Sequence, residues 1–258
     1  MQSLISGHPQ PTELRVGPDQ RLWWTNEAGP GIAAMQDDFT HYVFANYGSG
    51  EPEGITGGPD GNVWFTDATN EQIAFVSPSS PATPTRYPIG SSVGPTDIVT
   101  GPDGALWFTE SAGGIGRVTT SGTFAQYAIP TVATSTDQIV RGPDGALWFT
   151  ERAGDKIGRI TTAGAVTEYA VPTAKAQPLG IALGTDGALW FTEYAADKIG
   201  RITTAGKISE YAVPTANANP AFICAGPDGA MWFTELNAGK IGRVPLGIAT
   251  SALHRTPR

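Results

Sequence analysis

The chain has 258 residues, of which 40% are hydrophobic and 16% are charged, and its formal net charge is −8. An acidic chain has little electrostatic attraction for phosphate backbones, and no apolar run approaches the ~20 residues that cross a bilayer. We therefore expect no nucleic-acid partner and no membrane partner. The N-terminal sequence lacks a secretory signal pattern, which leads us to expect a cytoplasmic protein.

A ten-residue sequence, GPDGALWFTE, occurs twice in the chain, and four looser copies accompany it. The six copies start at positions 17, 58, 101, 142, 184 and 226, so their spacings are 41, 43, 41, 42 and 42 residues. Self-similarity at such a period is typical of a repeat architecture and outweighs the usual prior of one domain per ~150 residues. We predict one domain over residues 1–247, followed by a C-terminal tail over residues 248–258.

The first residues of the chain precede repeat one at the place where a fourth strand would lie. The last repeat, in turn, has no counterpart of the segment ISEYAV that ends repeat five. We predict that a strand near Ser3–Ser6 completes the last blade and closes the ring, since pairing the two chain ends removes an open sheet edge.

Each repeat is predicted to form four short strands, and residues 178–213 show this most clearly. The segments LGIAL, ALWFTE, KIGRIT and ISEYAV are rich in β-branched and aromatic residues, and turn-forming residues separate them. Four antiparallel strands in a unit of about 42 residues are typical of a propeller blade. The predicted fold is therefore all-β, a six-bladed β-propeller of four-stranded antiparallel blades.

The second and third strands of a repeat are predicted to form a hairpin closed by a four-residue loop. In repeat four, the loop RAGD sets Glu151 opposite Lys156 and Trp148 opposite Arg159, which predicts an ion pair and a guanidinium against an indole. Repeats three to six keep the Glu and the Arg, whereas repeats one and two lose both. The replacements are Asn26, Asp67, Ala34 and Phe75. This joint loss favours a packing role over a catalytic one.

Functional residues are expected where the repeats differ, on the face formed by the blade-linking loops and the second-to-third-strand loops. The innermost strands start with the stretches QPTEL, EPEGI, GPTDI, STDQI, QPLGI and NPAFI. Acidic departures near these stretches form a candidate carboxylate cluster of Glu51, Glu53, Asp67, Asp97 and Asp137. Because crowded carboxylates repel one another, the cluster predicts a site for Mg²⁺ or Ca²⁺. The alternative is that these residues are solvated loop charges of an acidic protein.

The three histidines differ in where the predicted fold places them. His8 lies in the stretch GHPQP on the same face as the carboxylates, and there it could act as a general base. The alternative for His8 is a simply exposed loop residue. His41 begins the outermost strand of blade one and His254 lies in the tail, so neither is expected to be catalytic.

Three aromatic residues are predicted to form an apolar rim for a ligand: Trp24, Tyr194 and Phe222. The alternative for each is packing within the blades. The single cysteine, Cys224, lies in the apolar stretch AFICAG, so we predict a buried and unreactive thiol.

The stretch GPDGALWFTE, followed by DKIGRITTAG at 155–164 and again at 197–206, resembles the virginiamycin B lyase (streptogramin lyase) family of propellers. The resemblance covers nearly the whole chain and is most specific in repeats three to six. It implies a metal-assisted lyase that linearises cyclic depsipeptide antibiotics by elimination across the ester C–O bond, with Mg²⁺ and a catalytic histidine. Characterised members of the family have seven blades, whereas six repeats are counted here.

The resemblance also implies roles for individual residues. The family's Glu-Pro-His-Gly stretch corresponds to EPEGI, so Glu51 stands at a glutamate that helps to hold the metal and Glu53 replaces a histidine. Asp67 stands where the family has a glutamate at the end of the second strand, and Thr12 replaces a second histidine. No histidine of this chain occupies either family position.

Two functions follow from this sequence. In the first, Glu53, or alternatively His8, removes a proton from a cyclic ester or lactone, while a cation on Glu51 and Asp67 stabilises the enolate charge. In the second, a non-catalytic propeller binds a small molecule or a protein on its divergent face, or serves as a scaffold. We expect a monomer whose small-molecule ligand binds on the blade-linking face.

Overall fold

In the computed structural model, the residues described are 11–26, 31–35, 42–46, 49–90, 93–131 and 135–246. They form 23 β-strands and no helix. Within these ranges, therefore, no helical segment offers a membrane span. The chain divides into two compact units, residues 1–128 and 129–258, and each unit contains three sheets.

The first unit contains blades one to three, each a four-stranded antiparallel sheet in chain order. Blade one consists of β1 (Pro11–Val16), β2 (Leu22–Asn26), β3 (Gly31–Met35) and β4 (Tyr42–Asn46). Blade two consists of β5 (Pro52–Gly57), β6 (Val63–Asp67), β7 (Gln72–Ser77) and β8 (Ser80–Pro88). Blade three consists of β9 (Pro95–Thr100), β10 (Leu106–Glu110), β11 (Gly114–Val118) and β12 (Phe124–Tyr127).

The second unit contains blades four to six. Blade four consists of β13 (Thr136–Arg141), β14 (Leu147–Glu151), β15 (Lys156–Ile160) and β16 (Val166–Ala170). Blade five consists of β17 (Pro178–Leu183), β18 (Leu189–Glu193), β19 (Lys198–Ile202) and β20 (Ile208–Ala212). The described strands of blade six are β21 (Pro220–Ala225), β22 (Met231–Glu235) and β23 (Lys240–Val244). The predicted closing strand near Ser3–Ser6 and the tail at 248–258 lie outside the described residues.

These sheets confirm the predicted fold class, an all-β six-bladed propeller. Its strands form where β-branched and aromatic runs are bounded by turn residues, and in blade five the predicted and observed strands agree to within about a residue at each end. Neighbouring blades within a unit bury their facing side chains together. Between blades four and five, for example, Trp148 and Ile157 pack with Ile181, Leu189 and Phe191.

The repeated GPDG turn anchors the second strand of each blade. In blade four, Gly145 adopts a φ of +73°, which glycine accommodates without strain. The Asp144 carboxylate accepts hydrogen bonds from Trp148 Nε1 at 3.1 Å and from Arg159 Nε at 2.7 Å. The Arg159 guanidinium also lies 5.9 Å from the centre of the Trp148 ring, as predicted. The recurring Asp, Trp and Arg therefore form a structural unit of the blade.

The hairpin register was predicted correctly, but the ion pair was not. Glu151 lies opposite Lys156 and Trp148 lies opposite Arg159 along the β14–β15 ladder. Lys156, however, directs its Nζ to the Glu168 carboxylate on β16, at 2.6 Å. Glu151 is completely buried, whereas Glu168 lies nearer the surface, where Lys156 can pair with it and keep contact with water.

Blade six differs from its neighbours in exposure. Ile241 of β23 is 54% exposed, whereas the equivalent Ile157 and Ile199 are fully buried. The prediction that Cys224 is buried was wrong, because its thiol is exposed. Side chains alternate along β21, so Ile223 points inward while Cys224 points outward, and an apolar run does not bury both faces of a strand.

Candidate functional site

A β-bulge holds Glu53 at the start of the innermost strand of blade two. The register shifts between Pro52 and Ile55, where β5 carries one residue more than β6. The Glu53 carbonyl accepts a hydrogen bond from Thr25 Oγ1 at 2.6 Å. The neighbouring Gly54 N–H donates to Thr66 Oγ1 at 2.8 Å. The backbone is therefore fixed from both sides, while the Glu53 side chain is exposed to solvent.

Blades two and three approach each other closely at Gly54. A Cβ atom on Gly54 would lie 2.5 Å from the Thr96 carbonyl oxygen and 2.7 Å from the Asp97 Cα, distances that real Cβ atoms essentially never show. Only glycine fits at this position. The close approach brings the innermost strands of the first unit together beside the bulge that carries Glu53.

A pair of carboxyl groups, Glu13 and Asp97, lies beside this bulge and was only half predicted. Glu13 Oε2 accepts a hydrogen bond from the Ile55 N–H at 2.9 Å, and its other oxygen contacts Arg15. Burial first, and then the negative charge of Asp97, raise the pKa of Glu13 well above its usual value, while the positive charge of Arg15 and the hydrogen bond from Ile55 oppose the shift. Asp97 itself is 7% exposed.

Sequence reasoning missed Glu13, although a signal for it existed. Glu13 occupies the fourth position of QPTEL, where EPEGI and QPLGI carry glycine. Asp97 occupies the same fourth position in GPTDI, so the acid that accepts a hydrogen bond from the backbone of blade two was visible in the same comparison.

The predicted metal ligands Glu51 and Asp67 lie next to each other, but their oxygens are engaged within the protein. Asp67 Oδ1 accepts from the Asn70 N–H at 3.1 Å and from the Glu51 N–H at 3.3 Å. Its Oδ2 accepts from Asn70 Nδ2 and Gln72 Nε2, both at 2.8 Å. The exposed Glu51 carboxylate accepts from Thr69 Oγ1 at 3.0 Å.

These contacts bear on whether the two residues suit a cation. A carboxylate offers about four lone-pair positions, and four donors already occupy those of Asp67. Throughout the described ranges, no three His, Cys, Asp or Glu side chains come together in a way that could hold a metal ion. The donor set around Asp67 therefore does not fit Mg²⁺ or Ca²⁺ without displacing these amides, and the metal site remains a prediction from sequence.

In the second unit, two predicted ligand-binding residues share a neighbour. Burial raises the pKa of Asp137 to about 6, partly offset by the positive charge of Arg152. The Arg152 guanidinium lies 5.1 Å from the centre of the half-buried Tyr194 ring. Arg152 thus links Asp137 with Tyr194, and sequence reasoning did not single it out.

The remaining candidate residues differ in their exposure to solvent. Phe222 is 50% exposed, whereas Trp24 is 5% exposed and packs with Ala33 and Met35 inside blade one. Trp24 is therefore packed within its blade, which was the alternative to a place in the ligand rim. His8 lies outside the described residues, as do His41 and His254.

The glutamates that end the second strands of blades three to five are buried and resist ionisation. Burial raises the pKa values of Glu110 and Glu151 to about 7 and that of Glu193 to about 8. A hydrogen bond from Gln126 opposes the shift at Glu110, and Lys156 opposes it at Glu151. Glu110, Glu151 and Glu193 therefore share a raised pKa at the ends of their second strands, a property that their sequence pattern did not reveal.

The model of the virginiamycin B lyase family matches residues 3–253. Among solved structures, a selenomethionine-substituted virginiamycin B lyase from Staphylococcus aureus is 37% identical, with a TM-score of 0.86, over 90% of this chain and 80% of that chain. A catalytically inactive histidine-to-alanine variant of the S. aureus lyase, with quinupristin, is 35% identical, with a TM-score of 0.89, over 94% and 84% of the two chains.

A third structure, described as a streptogramin B lyase, is 34% identical, with a TM-score of 0.89, over 98% of this chain and 86% of that chain. Among curated proteins, no significant match to the chain is found. The matched region includes the bulge of blade two and the carboxyl groups around it.

Proposed function

The chain belongs to the virginiamycin B lyase family, and on that premise we propose that it is a C–O lyase that opens a cyclic ester or lactone, with Glu53 as the base. Glu53 removes a proton from the carbon next to the ester-bearing carbon. The electron pair of that C–H bond forms a C=C bond, and the ester C–O bond breaks to release a carboxylate. The ring opens without consuming water.

The exposed carboxylate of Glu53 on a rigid backbone is the observation that carries this proposal. Thr25, Thr66 and Glu13 hold the bulge through hydrogen bonds from three directions. These hydrogen bonds fix the backbone position of Glu53, and its exposed side chain can extend toward a substrate that binds on this face. Because the lone pairs of Asp67 are filled, no step is assigned to a metal.

The test uses quinupristin, the compound present with the inactive S. aureus variant, together with a panel of simpler cyclic esters. The purified chain is incubated with each compound, and the products are analysed by mass spectrometry. Elimination gives a linear product of unchanged mass, whereas hydrolysis adds the mass of one water. We expect Glu53→Gln to abolish ring opening and Lys207→Gln, on an exposed turn, to retain it.

Ring opening that survives in Glu53→Gln would overturn the role of Glu53, and a product heavier by one water would overturn elimination. Inactivity of the wild-type chain on every compound would contradict the lyase proposal itself.

A second function, binding without chemistry, is favoured by one specific observation. The resemblance places Glu53 and Thr12 where the family has histidines, whereas the S. aureus relative is described as catalytically inactive in its histidine-to-alanine variant. Titration calorimetry with quinupristin separates the two functions, because heat of binding without product formation supports a binding propeller.

A further inference from the structure

Two side chains hold the loop that links blade four to blade five, residues 171–177. Asp155 Oδ2 accepts a hydrogen bond from the Lys175 N–H at 2.6 Å, and Asp155 Oδ1 accepts from the Gln177 N–H at 2.9 Å. Lys175 and Gln177 have φ angles of +60° and +50°, a region that non-glycine residues rarely adopt. The loop therefore depends on these hydrogen bonds to keep its conformation.

The second attachment of the loop comes from blade five. Glu210 Oε1 accepts from the Thr173 N–H at 2.9 Å. Lys198 Nζ donates to Thr173 Oγ1 at 2.6 Å and to Glu210 Oε2 at 3.2 Å. Lys198 thus both anchors the loop and neutralises the carboxylate that holds it.

Glu193, at the end of β18, interacts electrostatically with the residues that form both attachments. It is completely buried and lies opposite Lys198 along the β18–β19 ladder. The charged groups that face it are Glu210 on β20, Lys198 on β19 and Asp155 in the β14–β15 loop. Burial, and next the charge of Glu210, raise the pKa of Glu193 to about 8, while Lys198 opposes the shift.

We propose that Glu193 is a proton-operated switch for the loop at residues 171–177. When Glu193 carries its proton, Lys198 remains with Glu210 and Thr173, and both attachments hold. When Glu193 ionises, it competes for Lys198 and adds a third negative charge beside Asp155 and Glu210. The attachments weaken, and the loop opens as the pH rises.

Opening of this loop also affects Tyr194, a ligand-binding candidate whose backbone is hydrogen-bonded to the loop. The Tyr194 N–H donates to the Gln177 carbonyl at 3.3 Å, and the next amide, that of Ala195, donates to the Ala176 carbonyl at 3.1 Å. Release of the loop breaks these bonds, so Glu193 controls how firmly the segment after β18 is held.

Amide hydrogen exchange on the whole chain tests the switch. Protection of the Thr173, Lys175 and Gln177 amides is measured between about pH 6 and pH 9 and corrected for the intrinsic pH dependence of exchange. In the wild type, we expect protection to fall with rising pH, by up to about tenfold per pH unit, as far as the pKa of Glu193 at about 8, and to level off above it. In Glu193→Gln, the corrected protection is expected to stay constant.

The neighbouring loop provides a matched reference. Asp197 accepts from the Asn217 N–H at 2.8 Å and from the Asn219 N–H at 3.0 Å, which repeats the Asp155 attachment one blade later. At about pH 6, where Glu193 keeps its proton and glutamine imitates it, these two amides should be equally protected in the wild type and in Glu193→Gln, which shows that the variant is folded.

Three results would overturn the switch: constant protection of the loop in the wild type, an equal loss in Glu193→Gln, or a simultaneous loss throughout β18 and β19. Lys198→Met provides a second test, because removal of the shared cation should lower loop protection at every pH. Full protection in Lys198→Met would show that Lys198 does not hold the loop.

Discussion

Replacing Glu151 by glutamine should stabilise the chain, and increasingly so as the pH rises. Glu151 ends β14, is fully buried, and receives no hydrogen bond from the described residues. Burial first, and then the charge of Glu168, raise its pKa from 4.5 to about 7. Between these two values, the folded chain keeps a proton that the unfolded chain has released, so the free energy of unfolding falls as the pH increases.

The size of the effect follows from that pKa difference. Each tenfold change in proton affinity corresponds to about 1.4 kcal/mol, so ionisable Glu151 destabilises the fold by about 3 kcal/mol at pH 8 and by less than about 1 kcal/mol at pH 5. Glutamine has nearly the same shape as a protonated glutamate and does not titrate. Glu151→Gln should therefore be more stable than the wild type by these amounts.

Urea denaturation of the wild type and of Glu151→Gln, followed by tryptophan fluorescence between about pH 5 and pH 8, measures the difference. Glu168→Gln is the matched control. Although burial of Glu168 raises its pKa, hydrogen bonds from Lys156 and Thr131 hold that pKa below the usual value. Glu168→Gln should therefore lose stability near neutral pH and lose less in acid. A stability gain of Glu151→Gln that does not grow with pH would refute the reasoning.

Two further predictions concern packing and metal. Ile199→Ala should cost about 2–5 kcal/mol of unfolding free energy, because Ile199 is fully buried, whereas Ile241→Ala at the equivalent position, 54% exposed, should cost less than about 1 kcal/mol. Equal losses in urea denaturation would contradict the difference in burial. The filled lone pairs of Asp67 predict that millimolar Mg²⁺ or Ca²⁺ leaves the Tm unchanged. A rise that Asp67→Asn removes would instead support the metal site predicted from sequence.

The sequence predicted some residues of the candidate site and missed others. The difference depends on how far apart in the sequence the interacting residues lie. Glu53 and Asp97 were recognised because they interrupt a repeat, which is visible in the sequence. The bond from Ile55 to Glu13 joins residues 42 positions apart, and Arg152 meets Tyr194 at the same separation along the chain. Contacts between adjacent blades of this kind leave no local pattern.

The amino-acid sequence by itself determined the strands, their order and the hairpin register, because turn residues and alternating side chains act over a few positions. The pairing of Glu151 with Lys156 along the ladder is of this kind. Only the tertiary structure decided that Lys156 turns to Glu168, that burial raises the pKa values of Glu151 and Glu193, and that Cys224 is exposed. Burial and charge depend on what a neighbouring strand or blade places against each residue, and that is fixed only when the sheets pack.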